Sequence, residues 1–160
     1  LPQGRRDVVA LGRNPQVLIA DEPTTALDVT VQAQILRLLL ELRDQRGLAI
    51  IMITHDLGVV AQTCDSIAVM YAGRLCEHAS KYDVLAHPQH PYTAGLIDCQ
   101  PAHSSGHALL RTIPGQPPLL DALPDGCRFN PRCPQVAALC TEVLPEGARV
   151  ACHYPLGERP

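Results

Sequence analysis

Two acidic residues and one histidine stand just after short apolar runs in the first third of the chain. Asp21 and Glu22 follow the run Gln16–Ala20, and His55 follows Ala49–Ile53 after a single threonine. In a parallel α/β sheet, ligands bind beyond the carboxyl ends of the strands, so we expect these side chains to meet at one edge. Because neighbours on a strand point to opposite sides, one carboxylate is expected to face a metal ion and the other a water molecule. Nucleotide hydrolysis requires this division of tasks.

Each of these residues alone also fits an ordinary structural role. An acidic pair at a strand end is commonly a solvated loop edge, and a lone histidine after a strand commonly caps a helix or lies in the core. The chemical interpretation therefore depends on the residues occurring together, in this order and at these spacings.

Four cysteines in the last quarter of the chain form a second candidate site. They are Cys127, Cys133, Cys140 and Cys152. Four thiolates can close around one tetrahedral Zn²⁺ or one iron–sulfur cube. The spacings are looser than those of a zinc ribbon or a bacterial ferredoxin, so they indicate four ligands without naming the metal. Inert thiols in a docked tail are the alternative interpretation.

The other three cysteines, Cys64, Cys76 and Cys99, have no partner at ligand spacing and are interpreted as small apolar residues. An odd total of seven without a secretion signal argues against a disulfide scaffold.

Hydrophobic patterning predicts the elements that position these residues. Continuous apolar runs rich in branched residues indicate buried strands, and apolar residues at helical spacing indicate helices. The predicted strands are Gln16–Ala20, Ala49–Ile53 and Ser66–Met70, and the predicted helices are Val31–Arg46 and Leu57–Thr63. Their alternation predicts an α/β fold with one parallel sheet and helices packed on it.

The longest predicted helix has one apolar stripe and clear end signals. The stripe consists of Val31, Ile35, Leu38, Leu39 and Leu42. We expect it to pack on the sheet. Asp28 or Thr30 is expected to cap the start of the helix, and Gly47 to end it.

The chain after residue 79 is predicted to be organised differently. Residues 80–98 are expected to form two helical pieces separated by His87–Pro91. Residues 99–126 contain five prolines and three glycines and are predicted to be a linker. The predicted organisation is an α/β core at 1–79, a helical extension and linker at 80–126, and a cysteine-rich tail at 127–160.

Composition argues against several classes of protein. The net charge of the 160 residues is −3, so nothing indicates a nucleic-acid partner. Apolar stretches are interrupted before they reach the length of a membrane span, and Arg5, Arg6 and Asp7 interrupt any leader-like start. A soluble, cytosolic chain is therefore expected.

Two segments resemble a known family of ATPases. Val17–Asp28 (VLIADEPTTALD) resembles the Walker B and D-loop segment of ABC transporter ATPases, and Ile53–Asp56 (ITHD) resembles their switch-histidine segment. The helix and strand between the two segments also fit the family. The resemblance covers residues 9–160 and implies a partial P-loop NTPase fold with a small cysteine-rich C-terminal extension. It implies ATP and Mg²⁺ as cofactors.

The resemblance assigns a role to each residue of the first candidate site. Asp21 is expected to hold Mg²⁺ through water, and Glu22 to polarise the hydrolytic water as general base. Asp28 is expected to communicate across a dimer interface near the nucleotide, and His55 to contact the γ-phosphate.

Further segments resemble the oligopeptide and dipeptide importer branch of this family. They are Thr25–Ile35, His87–Thr93 and Gly126–Cys133. The last resembles a cysteine-rich terminus that in some members holds a [4Fe-4S] cluster. This branch implies a peptide importer ATPase that is peripheral on the cytoplasmic face of the membrane. Its implied partners are a second ATPase subunit, membrane permease subunits and, indirectly, a periplasmic or extracellular solute-binding protein.

The sequence also departs from the family pattern. No G-x-x-x-x-G-K-[ST] phosphate loop is present, and the one lysine, Lys81, is far from any glycine-rich segment. Leu1–Arg6 occupies the position at which the family has the motif Leu-Ser-Gly-Gly-Gln. Because the two sequences differ, the resemblance gives only weak grounds for assigning the γ-phosphate contact of that motif to Gly4. We therefore expect the C-terminal half of an ATPase that does not hydrolyse ATP alone. The alternatives are a metal-binding module on an ATPase scaffold and a non-functional relic.

Overall fold

The structure, a computed structural model, describes residues 15–25, 27–100 and 112–157. The chain divides into two compact units, Leu1–Cys64 and Asp65–Pro160. The segment Leu1–Arg6, with Gly4, lies outside the described residues.

The described residues of the first unit form one parallel strand pair and two helices. In chain order they are β1 (Val17–Asp21), α1 (Val29–Arg46), β2 (Ala49–Ile53) and α2 (Leu57–Thr63). Strands β1 and β2 run parallel in a register that pairs Val17 with Ala49 and Asp21 with Ile53. The mixed α/β character predicted from the sequence is confirmed.

The prediction that these strands are buried is correct for only part of the described strand pair. Leu18 and Ala20 on β1 are 5% exposed, whereas Ile19 between them is 64% exposed and its partner Ile51 is 52% exposed. Successive side chains on a strand point to opposite faces, so one face of the pair is covered and the other is open. A continuous apolar run cannot distinguish these two cases.

Helix α1 begins and ends with the expected capping residues. The Asp28 carboxylate accepts a hydrogen bond from the Val31 amide at 2.9 Å, and Gly47 ends the helix in the left-handed conformation. The predicted stripe is only partly correct, because Leu38 is 51% exposed while Leu36 and Leu39 are buried. Each residue turns the helix by about 100°, so a face centred on these two buried leucines leaves Leu38 outside it.

The second unit opens with an antiparallel hairpin. Strand β3 (Ser66–Tyr71) pairs with β4 (Arg74–Ser80) in a two-stranded sheet separate from the β1–β2 pair. The prediction that Ser66–Met70 is a third strand of the parallel sheet is therefore wrong. The cause is the two-residue turn at Ala72 and Gly73, where both residues have positive φ, as in tight hairpins that return the chain beside itself.

Short helices and loops complete the second unit. They are α3 (Lys81–Ala86), α4 (Pro91–Asp98), a 3₁₀ turn (Asn130–Arg132) and α5 (Ala138–Glu142). The two helical pieces predicted for residues 80–98 are confirmed, and residues 112–126 contain neither helix nor strand. None of the helices in the described ranges combines the length and hydrophobicity that crossing a bilayer requires.

Aromatic rings form the centre of the second unit. Phe129 is 2% exposed, and its ring centroid lies 5.2 Å from that of Tyr71 and 5.3 Å from that of Tyr92. Cys76 is buried in the same cluster, with Cys127 and Cys133 packed against it. The aromatic core therefore joins the hairpin to helix α4 and to the cysteine-bearing segment.

Phe129→Ala is expected to lower the free energy of unfolding by about 3–5 kcal/mol, because it removes a fully buried ring from a cluster that cannot refill the space. Urea denaturation followed by circular dichroism measures the change. Tyr82→Ala is the matched control, since that ring is 74% exposed, and it should change stability by less than about 0.5 kcal/mol. Equal losses in the two variants would contradict this assignment of the core.

Candidate functional site

Glu22 and His55 meet at the carboxyl end of the parallel strand pair. His55 Nδ1 lies 2.8 Å from Glu22 Oε1, although the two residues are 33 positions apart in the chain. The Thr25 hydroxyl donates to the other carboxylate oxygen of Glu22 at 2.6 Å. Both oxygens of this carboxylate are therefore oriented by side chains, as expected for a group held in one position.

A turn immediately after β1 places the Glu22 carboxylate. The Glu22 amide donates to the Ile53 carbonyl at 2.8 Å, and the Thr25 amide donates back to the Glu22 carbonyl at 3.2 Å. Glu22 has a φ of 48°, which is uncommon for a residue with a side chain. The strand ends at Asp21, so the predicted arrangement of two neighbours on opposite faces of a strand is wrong for Glu22.

The remaining predicted residues of this site lie close by in the chain. Asp21 is the last residue of β1, and its side chain is exposed. Asp28 is exposed and caps α1. Asp56, which directly follows His55, caps α2 by accepting hydrogen bonds from the Gly58 and Val59 amides at 2.8 and 3.3 Å. Helices α1 and α2 thus begin just after the two chemically important strand ends.

The hydrogen bond between Glu22 and His55 shifts the pKa values of both side chains. The Thr25 hydroxyl and then His55 lower the pKa of the Glu22 carboxyl. The Glu22 carboxylate raises the pKa of the His55 imidazole, chiefly through their hydrogen bond. Both shifts favour the ion pair of carboxylate and imidazolium.

The four cysteines of the tail line one cavity in the second unit. The cavity lining also includes His90, Pro91, Phe129, Asn130, Gln135, His153 and Tyr154. All seven cysteines fall within the described ranges, and each is a thiol rather than half of a disulfide. Residues spread over 26 positions of the tail (127 to 152) are thus brought to a single cavity.

Backbone contacts hold three of these cysteines in place. The Cys127 amide donates to the Cys140 carbonyl at 2.8 Å, and the Ala151 amide, next to Cys152, donates to the Cys76 carbonyl at 2.8 Å. Gly126 precedes this contact with a φ of 67°, and a Cβ there would come within 2.4 Å of the Cys140 carbonyl oxygen. Only glycine permits this close approach of the two segments.

Burial favours the neutral form of three of the four cavity thiols. Burial is the main cause that raises the pKa of Cys127, Cys133 and Cys152, and the neighbouring cysteines add to it. No group of three or more histidine, cysteine or acidic side chains in the described part of the chain is arranged as a metal-ion site. Metal binding would therefore require thiol deprotonation and reorientation of side chains within the cavity.

Sequence comparisons find similar proteins among transporter ATP-binding subunits. A family model described as the C-terminal region of oligopeptide/dipeptide transporters matches residues 76–140. The oligopeptide transport ATP-binding protein OppD of Salmonella typhimurium is 52% identical over 155 residues, which are 94% of this chain and 46% of that relative. Over most of its length the chain is therefore similar to the ATP-binding proteins of oligopeptide and dipeptide transporters.

Another curated relative and one solved structure are also similar to this chain. The probable D,D-dipeptide transport ATP-binding protein DdpD of Escherichia coli is 49% identical over 156 residues, 94% of this chain and 48% of that relative. The chain thus spans about half the length of these curated relatives. A solved structure of CbiO1 from Clostridium perfringens, part of the ABC transporter complex CbiONQ, is 40% identical over 46% of this chain and 29% of that one. Its TM-score of 0.43 does not establish a common fold.

Sequence reasoning missed two residues of these two sites, Thr25 and His90. The Thr25 hydroxyl donates to the Glu22 carboxylate, and a threonine three residues after an acidic residue is the spacing of a turn closed by a side-chain hydrogen bond. The interpretation of Cys76 as a small apolar residue is confirmed, because it is buried in the aromatic cluster, where burial raises its pKa to about 12. His90 lines the cysteine cavity, and nothing in the spacing of the cysteines pointed to it.

Glu22→Gln is expected to lower the pKa of His55 toward its ordinary value, because the variant removes the negative charge that stabilises the imidazolium. The ion pair is complete at about pH 5–6, between the ordinary pKa values of the two groups. It is lost as the pH rises through the raised pKa of His55 or falls through the lowered pKa of Glu22. An NMR titration of the imidazole resonances measures the midpoint.

Thr25→Val serves as the control for this titration. It removes the hydroxyl bond to Glu22 and should raise the pKa of that carboxyl, while the His55 midpoint stays above its ordinary value. A His55 midpoint that is identical in the wild type and in Glu22→Gln would show that the pair does not form in solution.

Proposed function

We propose that this chain supplies the water-activating half of an ATP hydrolysis site in a peptide importer. The observation that carries the proposal is the contact of Glu22 with His55 at the carboxyl end of the parallel strand pair. Support comes from the relatives, which are named as oligopeptide and dipeptide transport ATP-binding proteins.

Glu22 is the general base of the proposed reaction. Its lowered pKa keeps it ionised at neutral pH, and a carboxylate has about four lone-pair sites, so room remains beside Thr25 and His55 for an attacking water. Glu22 would accept the proton as the water oxygen attacks the γ-phosphorus, while the bond from that phosphorus to the bridging oxygen breaks and ADP leaves. His55 orients the carboxylate through Nδ1 and is proposed to contact the γ-phosphate.

Asp21 and Asp28 complete the proposed site. Asp21 ends β1 with an exposed side chain next to Glu22, and a carboxylate of this kind suits Mg²⁺, which prefers oxygen ligands and retains water. Bound Mg²⁺ would neutralise charge on the phosphates. Asp28 begins α1 and is proposed to face a second ATPase subunit.

We place this subunit on the cytoplasmic face of the membrane, where it would work with a second ATPase subunit and membrane permease subunits. A solute-binding protein would deliver oligopeptides or dipeptides to that assembly. These partners and substrates are proposed from the names of the relatives, of which this chain spans about half.

Fragment complementation tests the hydrolytic proposal. We expect the purified chain alone to release no phosphate from ATP. We expect ATPase activity when this chain is co-expressed with the segment of the Salmonella typhimurium relative that lies outside the aligned region. In that pair, Glu22→Gln should lower the turnover rate by roughly 10²–10⁴-fold, the usual contribution of a general base.

Glu41→Gln is the matched control, because Glu41 is an exposed residue of α1 away from the strand ends. It should leave turnover unchanged. Phosphate release by the isolated chain would overturn the expected dependence on a second half, and full turnover in Glu22→Gln would overturn the role of Glu22.

We also propose that the cysteine cavity holds a metal centre ligated by Cys127, Cys133, Cys140 and Cys152, either a [4Fe-4S] cluster or Zn²⁺. The supporting observation is that all four side chains line one cavity. Four thiolates match the donor set of either centre. The metal would stabilise a segment with a small core of its own, and metal binding would release the thiol protons.

Anaerobic purification with iron, sulfide and zinc analysis tests this second proposal. We expect either four irons and matching sulfide or one zinc per chain, with the absorption spectrum distinguishing the two. Replacing any of the four cysteines by serine should lower the metal content. Cys64→Ser should keep it, because Cys64 belongs to the first unit. A wild-type protein with neither metal would overturn the proposal.

A further inference from the structure

Thr25 makes two hydrogen bonds to Glu22 across the turn that follows β1. Its amide donates to the Glu22 carbonyl at 3.2 Å, and its hydroxyl donates to Glu22 Oε2 at 2.6 Å. A threonine hydroxyl has one proton to donate, and here that proton is used on the carboxylate. A single residue therefore holds both the backbone and the side chain of Glu22.

The backbone of Glu22 has a conformation that needs such support. Its φ of 48° lies in the left-handed region, which residues with a side chain adopt only where surrounding contacts determine it. The bond from the Glu22 amide to the Ile53 carbonyl, at 2.8 Å, holds the start of the turn. The amide of Thr25 closes the turn on the other side, so the origin of the Glu22 side chain is fixed.

The carboxylate at the end of this side chain is held at both oxygens. His55 Nδ1 lies 2.8 Å from Oε1, and the Thr25 hydroxyl contacts Oε2. One contact alone would leave the carboxylate free to turn about it, whereas two contacts on different oxygens set the plane of the group. A carboxylate has about four lone-pair sites, so two of them remain free and point in defined directions.

The two contacts on the carboxylate differ in what else they do. Thr25 belongs to the same turn as Glu22, and its amide bond keeps the hydroxyl close to the carboxylate. His55 follows a separate strand, its side chain is 85% exposed, and it has a second proposed contact with the γ-phosphate. The Thr25 hydroxyl is thus the contact that serves the carboxylate alone.

We propose that Thr25 is a positioning residue for ATP hydrolysis, whose hydroxyl fixes the plane of the Glu22 carboxylate and so directs a free lone pair at the attacking water. This inference rests on the proposed role of Glu22 as general base. The water proton passes to Glu22, and the hydroxyl proton stays on Thr25. A base that is already oriented needs no reorientation as the reaction proceeds, which is how positioning raises a rate.

Two substitutions isolate the hydroxyl. Thr25→Val keeps the branched shape and the amide bond of the turn but removes the hydroxyl, whereas Thr25→Ser keeps the hydroxyl and removes a methyl group. Residue 25 is exposed, so neither change alters the packing of the core. The assay is phosphate release by this chain co-expressed with the unmatched segment of the Salmonella typhimurium relative.

We expect Thr25→Val to lower kcat by roughly tenfold, the order expected for one hydrogen bond to a charged acceptor. The KM for ATP should stay at its wild-type value, because the hydroxyl acts on the base and not on the nucleotide. Thr25→Ser should restore kcat. Thr141→Val is the matched control, since the exposed Thr141 also donates its hydroxyl three residues back, to the Ala138 carbonyl at 2.8 Å, in the second unit. It should leave kcat unchanged.

A double substitution separates positioning from a purely structural role. In Glu22→Gln no carboxylate remains to be directed, so adding Thr25→Val should cause no further loss of turnover. A residue that only stabilised the turn would lower turnover by the same factor in both backgrounds. NMR three-bond couplings of the Glu22 side chain in the full chain give a second readout. We expect one rotamer in the wild type and in Thr25→Ser, and averaged couplings in Thr25→Val.

The outcomes distinguish this inference from the proposed function. Full turnover in Glu22→Gln, or no phosphate release by the co-expressed pair, overturns the proposed function and this inference with it. A slow Glu22→Gln variant beside a Thr25→Val variant with wild-type kcat overturns the role of Thr25 alone. Failure of Thr25→Ser to restore kcat, equal losses in the two backgrounds, or unchanged couplings in Thr25→Val also overturn that role and leave Glu22 as the base.

Discussion

Parallel pairing of β1 with β2 is the constraint on which the first site depends. Because the two strands run in the same direction, their carboxyl ends lie at the same edge, and the Glu22 amide extends the pairing by one bond to the Ile53 carbonyl. Glu22 and His55 come within 2.8 Å as a direct result. In an antiparallel pair the same residues would follow opposite ends of the ribbon. The long helix α1 is the crossover that a parallel connection needs.

The second unit depends on buried groups from distant parts of the chain. Glu77 binds the backbone just before α4, and Phe129 packs on Tyr71 and Tyr92. These contacts bring the tail to the hairpin, and the cysteine cavity forms beside the aromatic cluster. A buried carboxylate that accepts two amide hydrogen bonds is costly to leave unpaired, so it strongly favours one arrangement of the loop.

Local patterns in the sequence predicted most elements well. The helices, their caps at Asp28 and Gly47, and the strand Ala49–Ile53 were expected within a residue or two, because run length and capping chemistry act over a few neighbouring residues. The strand Ser66–Met70 was assigned to the wrong sheet, since a single-strand pattern carries no information about its partner. Leu38 was assigned to the wrong face for a similar reason: burial of a stripe depends on what packs against it.

The sequence by itself determined the chemical inventory of this protein: Asp21, Glu22 and His55 after apolar runs, four cysteines in the tail, and a similarity to transporter ATP-binding proteins. Tertiary structure alone decided which of these groups meet. It joined Glu22 to both His55 and Thr25, and it placed His90 in the wall of the cysteine cavity. The physical reason is that residue type and local spacing set what a side chain can do, whereas convergence and burial arise from contacts between residues far apart in the chain.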